Sequence, residues 1–140
     1  MKKVFLDANI LVTVVNREYP LFPYAARVLS LADNKKFKVY TSATCLAIAF
    51  YFAEKKRGTT EAKKLMALLA EKLSIANCGQ AEVSAAAGNK KVLDFEDGLE
   101  YYAAVNAGCT WIITEDTNDF HFSEVDVTNS ESFLRNFVLK

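Results

Sequence analysis

Apolar positions along the chain alternate between short runs and helical spacing. Residues 3–6 (KVFL) form a β-prone run, and Asp7 then precedes Ile10, Leu11, Val14 and Val15, which fall on one helix face. The pattern predicts a strand followed by a helix. Residues 19–23 (YPLFP) break it, after which Ala25, Val28, Leu29 and Ala32 mark a second amphipathic helix running towards Asn34. A second strand is predicted at 37–40. Thr41 or Ser42 is placed to cap a helix bearing Ile48, Ala49, Phe52 and Ala53, which Lys55, Lys56, Arg57 and Gly58 close. Thr59 or Thr60 then caps a helix with Ala62, Leu65, Met66, Leu69 and Leu73 on its apolar face. The remaining elements are strands at 74–77, 110–114 and 125–127, and helices at 80–87, from Asp94 onward, and at 130–138.

Strands thus alternate with helices. That order predicts an α/β fold of three layers, α/β/α, with a central, mostly parallel sheet of about five strands. A length of 140 residues suits a single domain over 1–140. Hydrophobic residues at 51% and charged residues at 24% exclude a disordered or fibrous chain. Lys plus Arg and Asp plus Glu are 17 each, so net charge neither favours nor excludes a nucleic-acid partner. Cys45, Cys78 and Cys109 are widely spaced in apolar segments, as free thiols of a reducing compartment would be. With no leader-like N-terminus and no apolar run of spanning length, the expected location is the cytoplasm.

In an open parallel sheet, ligands bind beyond the carboxyl ends of the strands, where strand order reverses. Asp7 follows the first strand, Asp116 and Asp119 follow the strand TWIIT, and Asp97 lies in the first turn of the preceding helix. If the first and fourth strands are neighbours, these four carboxylates converge. Such a group repels itself unless its pKa values rise or a cation binds, and hard oxygen ligands favour Mg²⁺ or Mn²⁺. The lone histidine, His121, and the absence of a Cys/His cluster argue against zinc. A site of this kind suits phosphodiester hydrolysis. Each acid also has a plainer reading. Asp94 is placed as an N-cap with Glu96 and Asp97 complementing the helix dipole, Asp7 as the N-cap of the first helix, and residues 115–119 as a solvated turn.

Four stretches taken together, FLDANILV (5–12), YTSATCLAIAFYF (40–52), DFEDGLEYYAAVNAGC (94–109) and WIITEDTNDF (111–120), resemble the PIN domain, the PilT N-terminus-like nuclease fold that includes the toxin ribonucleases of VapBC-type toxin–antitoxin pairs. The resemblance implies a Mg²⁺-dependent endoribonuclease with Asp7, Asp97, Asp116 and Asp119 as catalytic acids. Asp7, Asp97 and Asp116 would hold the metal. Asn9 and Thr114 match polar residues that orient these acids, Ser42 matches a serine at the end of the family's second strand, and Glu96 stands beside Asp97. Many members carry a Glu six residues after that serine; this chain has Ile48, which neither ligates metal nor moves protons. Glu54 is about 600° of helical rotation further on and faces elsewhere. Glu96 is the candidate to compensate.

RNA is the implied substrate, and an antitoxin protein and a second copy of the chain are the implied partners. The basic clusters at 35–38, 55–57, 63–64 and 90–91 read as solvated helix ends as readily as RNA contacts. Tyr101 and Tyr102 are candidates for base stacking, with one of them expected in the core. The aromatic residues at 19–24 and 50–52 exceed what one helix face needs to bury, which marks a region for partner contact or for core packing. Two functions follow: a metal-dependent ribonuclease, or a catalytically impaired PIN domain that binds RNA or protein. Phosphoryl transfer through a nucleophilic Asp7 would want a second acid at position 9, where Asn9 stands.

Overall fold

The computed structural model describes residues 1–138. Within them five strands, β1 (Lys2–Leu6), β2 (Phe37–Ser42), β3 (Ser74–Ala76), β4 (Trp111–Ile113) and β5 (Asp126–Thr128), form one sheet in the order β3-β2-β1-β4-β5. Every neighbouring pair is parallel. Parallel neighbours need crossover connections, and those before β4 are α-helical: α1 (Ala8–Val15), α2 (Phe22–Ser30), α3 (Ala43–Arg57), α4 (Thr59–Lys72), α5 (Gln80–Gly88) and α6 (Phe95–Asn106); a 3-10 turn at Thr117–Phe120 lies between β4 and β5, and α7 (Ser130–Phe133) follows the last strand. The chain from β1 to β3 moves one way across the sheet, and from β3 it returns over β2 and β1 to β4. Right-handed crossovers therefore put α1–α4 on one face and α5–α6 on the other. The packing agrees: α1 lies on α2 and α3, α3 on α4 and α2 on α7, while α5 lies on α6. The α/β/α reading of the sequence holds.

Covered on both faces, β1 is buried at Val4, Phe5 and Leu6, and Ile112 and Ile113 of β4 are buried beside it. The register sets Leu6 against Ile113, and the Asp7 amide donates to the Ile113 carbonyl at 3.0 Å. From there the chain departs towards β2 after β1 and towards β5 after β4. The crevice at that reversal is the switch point anticipated for ligand binding.

Several boundaries differ from the sequence reading. Phe22 and Pro23 belong to the first turn of α2, where the missing proline N–H costs no helical hydrogen bond. Neither Thr59 nor Thr60 caps α4. Gly58, at φ +85°, ends α3 and begins α4 in a conformation that a Cβ would strain, and the Thr59 hydroxyl donates instead to Glu54 Oε2 at 2.7 Å. The closing helix is α-helical only over α7. Leu134–Val138 widens into a π turn that sets the Phe133 and Phe137 rings 5.1 Å apart, both against Trp111. Cys45 and Cys109 are buried free thiols, whereas Cys78 is half-buried. Among the described residues no helix is long and apolar enough to cross a membrane.

Candidate functional site

Asp7 is buried at the end of β1 and does two jobs. Its Oδ1 accepts the Ala8 amide at 2.6 Å and so caps α1, while Oδ2 accepts the Thr114 hydroxyl at 2.7 Å. The capping reading and the site reading of Asp7 are therefore compatible. Thr114, also buried, follows β4 directly, and its oxygen accepts from Asn9 Nδ2 at 3.0 Å and from the Asp116 amide at 3.1 Å. Asn9 spans the crevice. Its Nδ2 also donates to Asp116 Oδ2 at 3.2 Å, and its Oδ1 accepts the Glu115 amide at 3.2 Å. One side-chain amide and one hydroxyl thus tie the ends of β1 and β4 together and fix the Asp7 carboxylate between them.

A cleft of about 380 Å³ opens over these groups, lined by Asp7, Asn9, Ile48, Asp97, Glu100, Asp116 and Asp119 among others. All four acids expected to converge line it. Asp94 caps α6, its Oδ1 accepting the amides of Glu96 at 2.9 Å and Asp97 at 3.3 Å, which leaves the Asp97 side chain free to face the cleft. Burial first, then Asp94, Asp7, Asp119 and Glu96, holds the Asp97 carboxyl at about 7, well above the usual carboxylate range. Burial, with Asp94 and Asp7, also raises Glu96.

The sequence reading passed over Glu100. It is 2% exposed, one turn after Asp97 on α6, and its Oε1 accepts the Cys45 thiol at 3.0 Å. Ligand-type atoms of Asp7, Cys45 and Glu100 lie within 4.8 Å of one another. Burial, followed by a hydrogen bond to Asp7 and the charge of Asp7, pushes Glu100 up to about 11. Burial, Glu100 and Asp7 likewise push the Cys45 thiol well above its ordinary value, so it stands as a neutral donor behind the carboxyls. Among the described residues no Lys or Arg lines the cleft. Crowded oxygen donors that hold protons for want of a facing positive charge fit a hard divalent cation such as Mg²⁺ or Mn²⁺.

Other candidates sit outside the cleft. Ser42 is buried and caps α3 by accepting the Cys45 amide at 3.2 Å, so it bears on the site through the helix that carries Cys45 and Ile48. Glu115 points away, its Oε1 accepting from Ser130. Tyr101 is the core tyrosine; its hydroxyl accepts the Glu124 amide at 3.2 Å, and half-buried Tyr102 accepts from Asn89 at 3.0 Å. Of the basic cluster 55–57, Arg57 Nε donates to the Val15 carbonyl at 2.9 Å and Lys56 to that of Asn16, both at the end of α1, while Lys55 lies over the Tyr51 ring. Tyr51 and Phe52 are exposed, and Phe52, unlike the others, reaches the lining of the cleft.

A family model described as PIN domain matches residues 3–118. Ribonuclease VapC1 of Aquifex aeolicus is 27% identical, over 94% of this chain and 93% of that protein. Two solved structures share the fold at 16% identity. VapC20 of Mycobacterium tuberculosis, titled a Sarcin-Ricin loop cleaving toxin, has a TM-score of 0.69 over 89% of this chain and 98% of that one. A chain of VapBC2 from Rickettsia felis, bound to a DNA fragment from their promoter, has a TM-score of 0.68 over 91% and 98%.

Proposed function

The chain belongs to the PIN domain family, and on that premise we propose that it is a Mg²⁺- or Mn²⁺-dependent endoribonuclease, the toxin of a VapBC-type toxin–antitoxin pair. The observation that carries the reading is the single cleft lined by Asp7, Asp97, Asp116 and Asp119, with Asp7 locked by Thr114 and Asn9. RNA is the substrate, an antitoxin protein and a second copy of the chain are the partners, and the cytoplasm is where they meet.

Asp7, Asp97 and Asp116 would hold the ion, which when bound would neutralise charge at the scissile phosphate and acidify water. Asp119, exposed at the cleft mouth, adds negative charge that draws the cation in. Thr114 spends its proton on Asp7, which orients that carboxylate and leaves its oxygen free to accept from Asn9. Asn9 in turn steadies Asp116 from the opposite strand end. Asp97, at about 7, gives up its proton readily near neutrality. Val12, Ile48 and Phe52 supply the apolar part of the lining.

The test is cleavage of single-stranded RNA by purified protein with Mg²⁺ or Mn²⁺. Asp7→Asn and Asp97→Asn should abolish it without unfolding the chain; equal cleavage by wild type and Asp97→Asn would identify a contaminant and sink the reading. Ile48 in the lining favours a second reading, a catalytically impaired PIN domain that binds RNA or protein. An impaired site takes up Mn²⁺ weakly or not at all, so titration calorimetry separates the two.

A further inference from the structure

We propose that Glu100 is a further metal-holding carboxylate of this site, supplied from α6 into the space that an acid at position 48 of α3 would otherwise serve. The inference rests on the metal-dependent reading above and adds a residue to it. Glu100 and Ile48 line the same cleft from two helices. Cys45 lies one turn before Ile48 on α3, and its thiol meets Glu100 Oε1 at 3.0 Å, so the Glu100 carboxyl already spans from α6 to the wall of α3. The same carboxyl is within 4.8 Å of Asp7, the acid that the Thr114 hydroxyl and the Ala8 amide hold in place.

Packing alone does not account for it. Glu100 is among the largest fully buried side chains, on a face of α6 whose other buried members include Ala103, Ala104 and Tyr101. It takes part in none of the ion pairs among the described residues. A buried carboxyl is ordinarily paired with a cation or replaced by an apolar residue at lower cost. Here its neighbours are a thiol and another carboxyl, ligand-type groups whose surroundings suit a cation. Ile48 completes the picture: an apolar side chain on α3 offers the cleft no ligand atom, so the acid reaching from α6 meets no competing carboxylate there.

The experiment compares wild type, Glu100→Gln, Ile48→Glu and the double variant by Mn²⁺ titration calorimetry, with RNA cleavage measured in parallel. Glu100→Gln should weaken Mn²⁺ binding by at least about tenfold, the least that losing even a residue behind the ligands costs, and Ile48→Glu in the same chain should restore it, which a merely structural role for Glu100 would not allow. Wild-type Mn²⁺ affinity in Glu100→Gln, or a folded double variant with no recovery, overturns the proposal. If Glu100→Gln does not fold, Glu100→Asp takes its place: the carboxylate drawn back by one methylene must bind Mn²⁺ more weakly than wild type, and unchanged affinity overturns the proposal. Glu100-dependent Mn²⁺ binding in a protein that cuts no RNA would refute the ribonuclease reading and leave this assignment standing. Equal Mn²⁺ binding and equal cleavage by wild type and Glu100→Gln would do the reverse.

Discussion

Replacing Glu100 with Gln should make the metal-free protein more stable, and increasingly so as pH rises. In the folded chain the Glu100 carboxyl keeps its proton up to about 11, whereas its ordinary value is 4.5. An acid raised by folding costs stability wherever the unfolded chain has released the proton and the folded chain has not. The cost therefore begins above the unfolded value and grows with pH until the folded group ionises. At about 1.4 kcal/mol per pH unit, the interval from 4.5 to neutrality amounts to about 3.5 kcal/mol. That figure depends on the unfolded value and the pH alone, because the folded value lies above both.

Gln has the same shape without the cost: its amide nitrogen donates towards Asp7 and its oxygen accepts the Cys45 thiol. Exchanging one hydrogen bond for another shifts the balance by about 1 kcal/mol, which leaves a net gain of about 2 to 3 kcal/mol at neutral pH. For a domain of this size that is roughly a 10 °C rise in Tm. Urea unfolding followed by circular dichroism in EDTA, at about pH 5, 7 and 8, is the assay, with the two proteins differing by less than about 1 kcal/mol at the lowest pH. Equal stability at neutral pH, or a difference that does not vary with pH, would refute the reasoning.

Thr114→Val removes the donor to Asp7 and the acceptor for the Asp116 amide; RNA cleavage should fall, and urea midpoints should report a loss of about 1 to 3 kcal/mol. Arg57→Ala strips a hydrogen bond and a favourable charge from the end of α1, with an expected cost of about 1 to 2 kcal/mol in the same assay. Glu82 is held below its ordinary value by the Gly79 amide and Asn106. A depressed acid contributes stability above its unfolded value and loses it as pH falls through the folded one, so Glu82→Gln should flatten the acid limb of the stability curve below about pH 5. EDTA should abolish cleavage and added Mn²⁺ restore it.

Much of the candidate site's geometry was legible because its parts sit where the chain changes element. Asp7 and Asp116 follow predicted strands and Asp97 opens a predicted helix, so topology alone gathers them once β1 and β4 are neighbours. Glu100 was hidden because it lies inside a helix, where an acid reads as solvated surface. Its signal was present in the spacing: one turn after Asp97, it shares a stripe with Ala103 and Ala104, an acid among small apolar residues on the face α6 buries. The role of Ser42 was only half visible, since capping α3 is local while its bearing on the site runs through Cys45. Gly58 was legible as the end of α3 but not as the start of α4, because the two threonines that follow it are commoner caps. The π turn after α7 answers to a ring contact with β4, far away in sequence.

The buried acid at position 100 also carries a historical consequence. Glu and Gln codons differ by a single base, and the Gln form of this fold is expected to be the sturdier one at neutral pH. Were the residue idle, nothing would hold the acid there, and the position would drift among the residues the fold tolerates. A population that keeps the acid is paying for it each generation, so the residue found at this one place in descendants of the gene records whether the cleft is still in use.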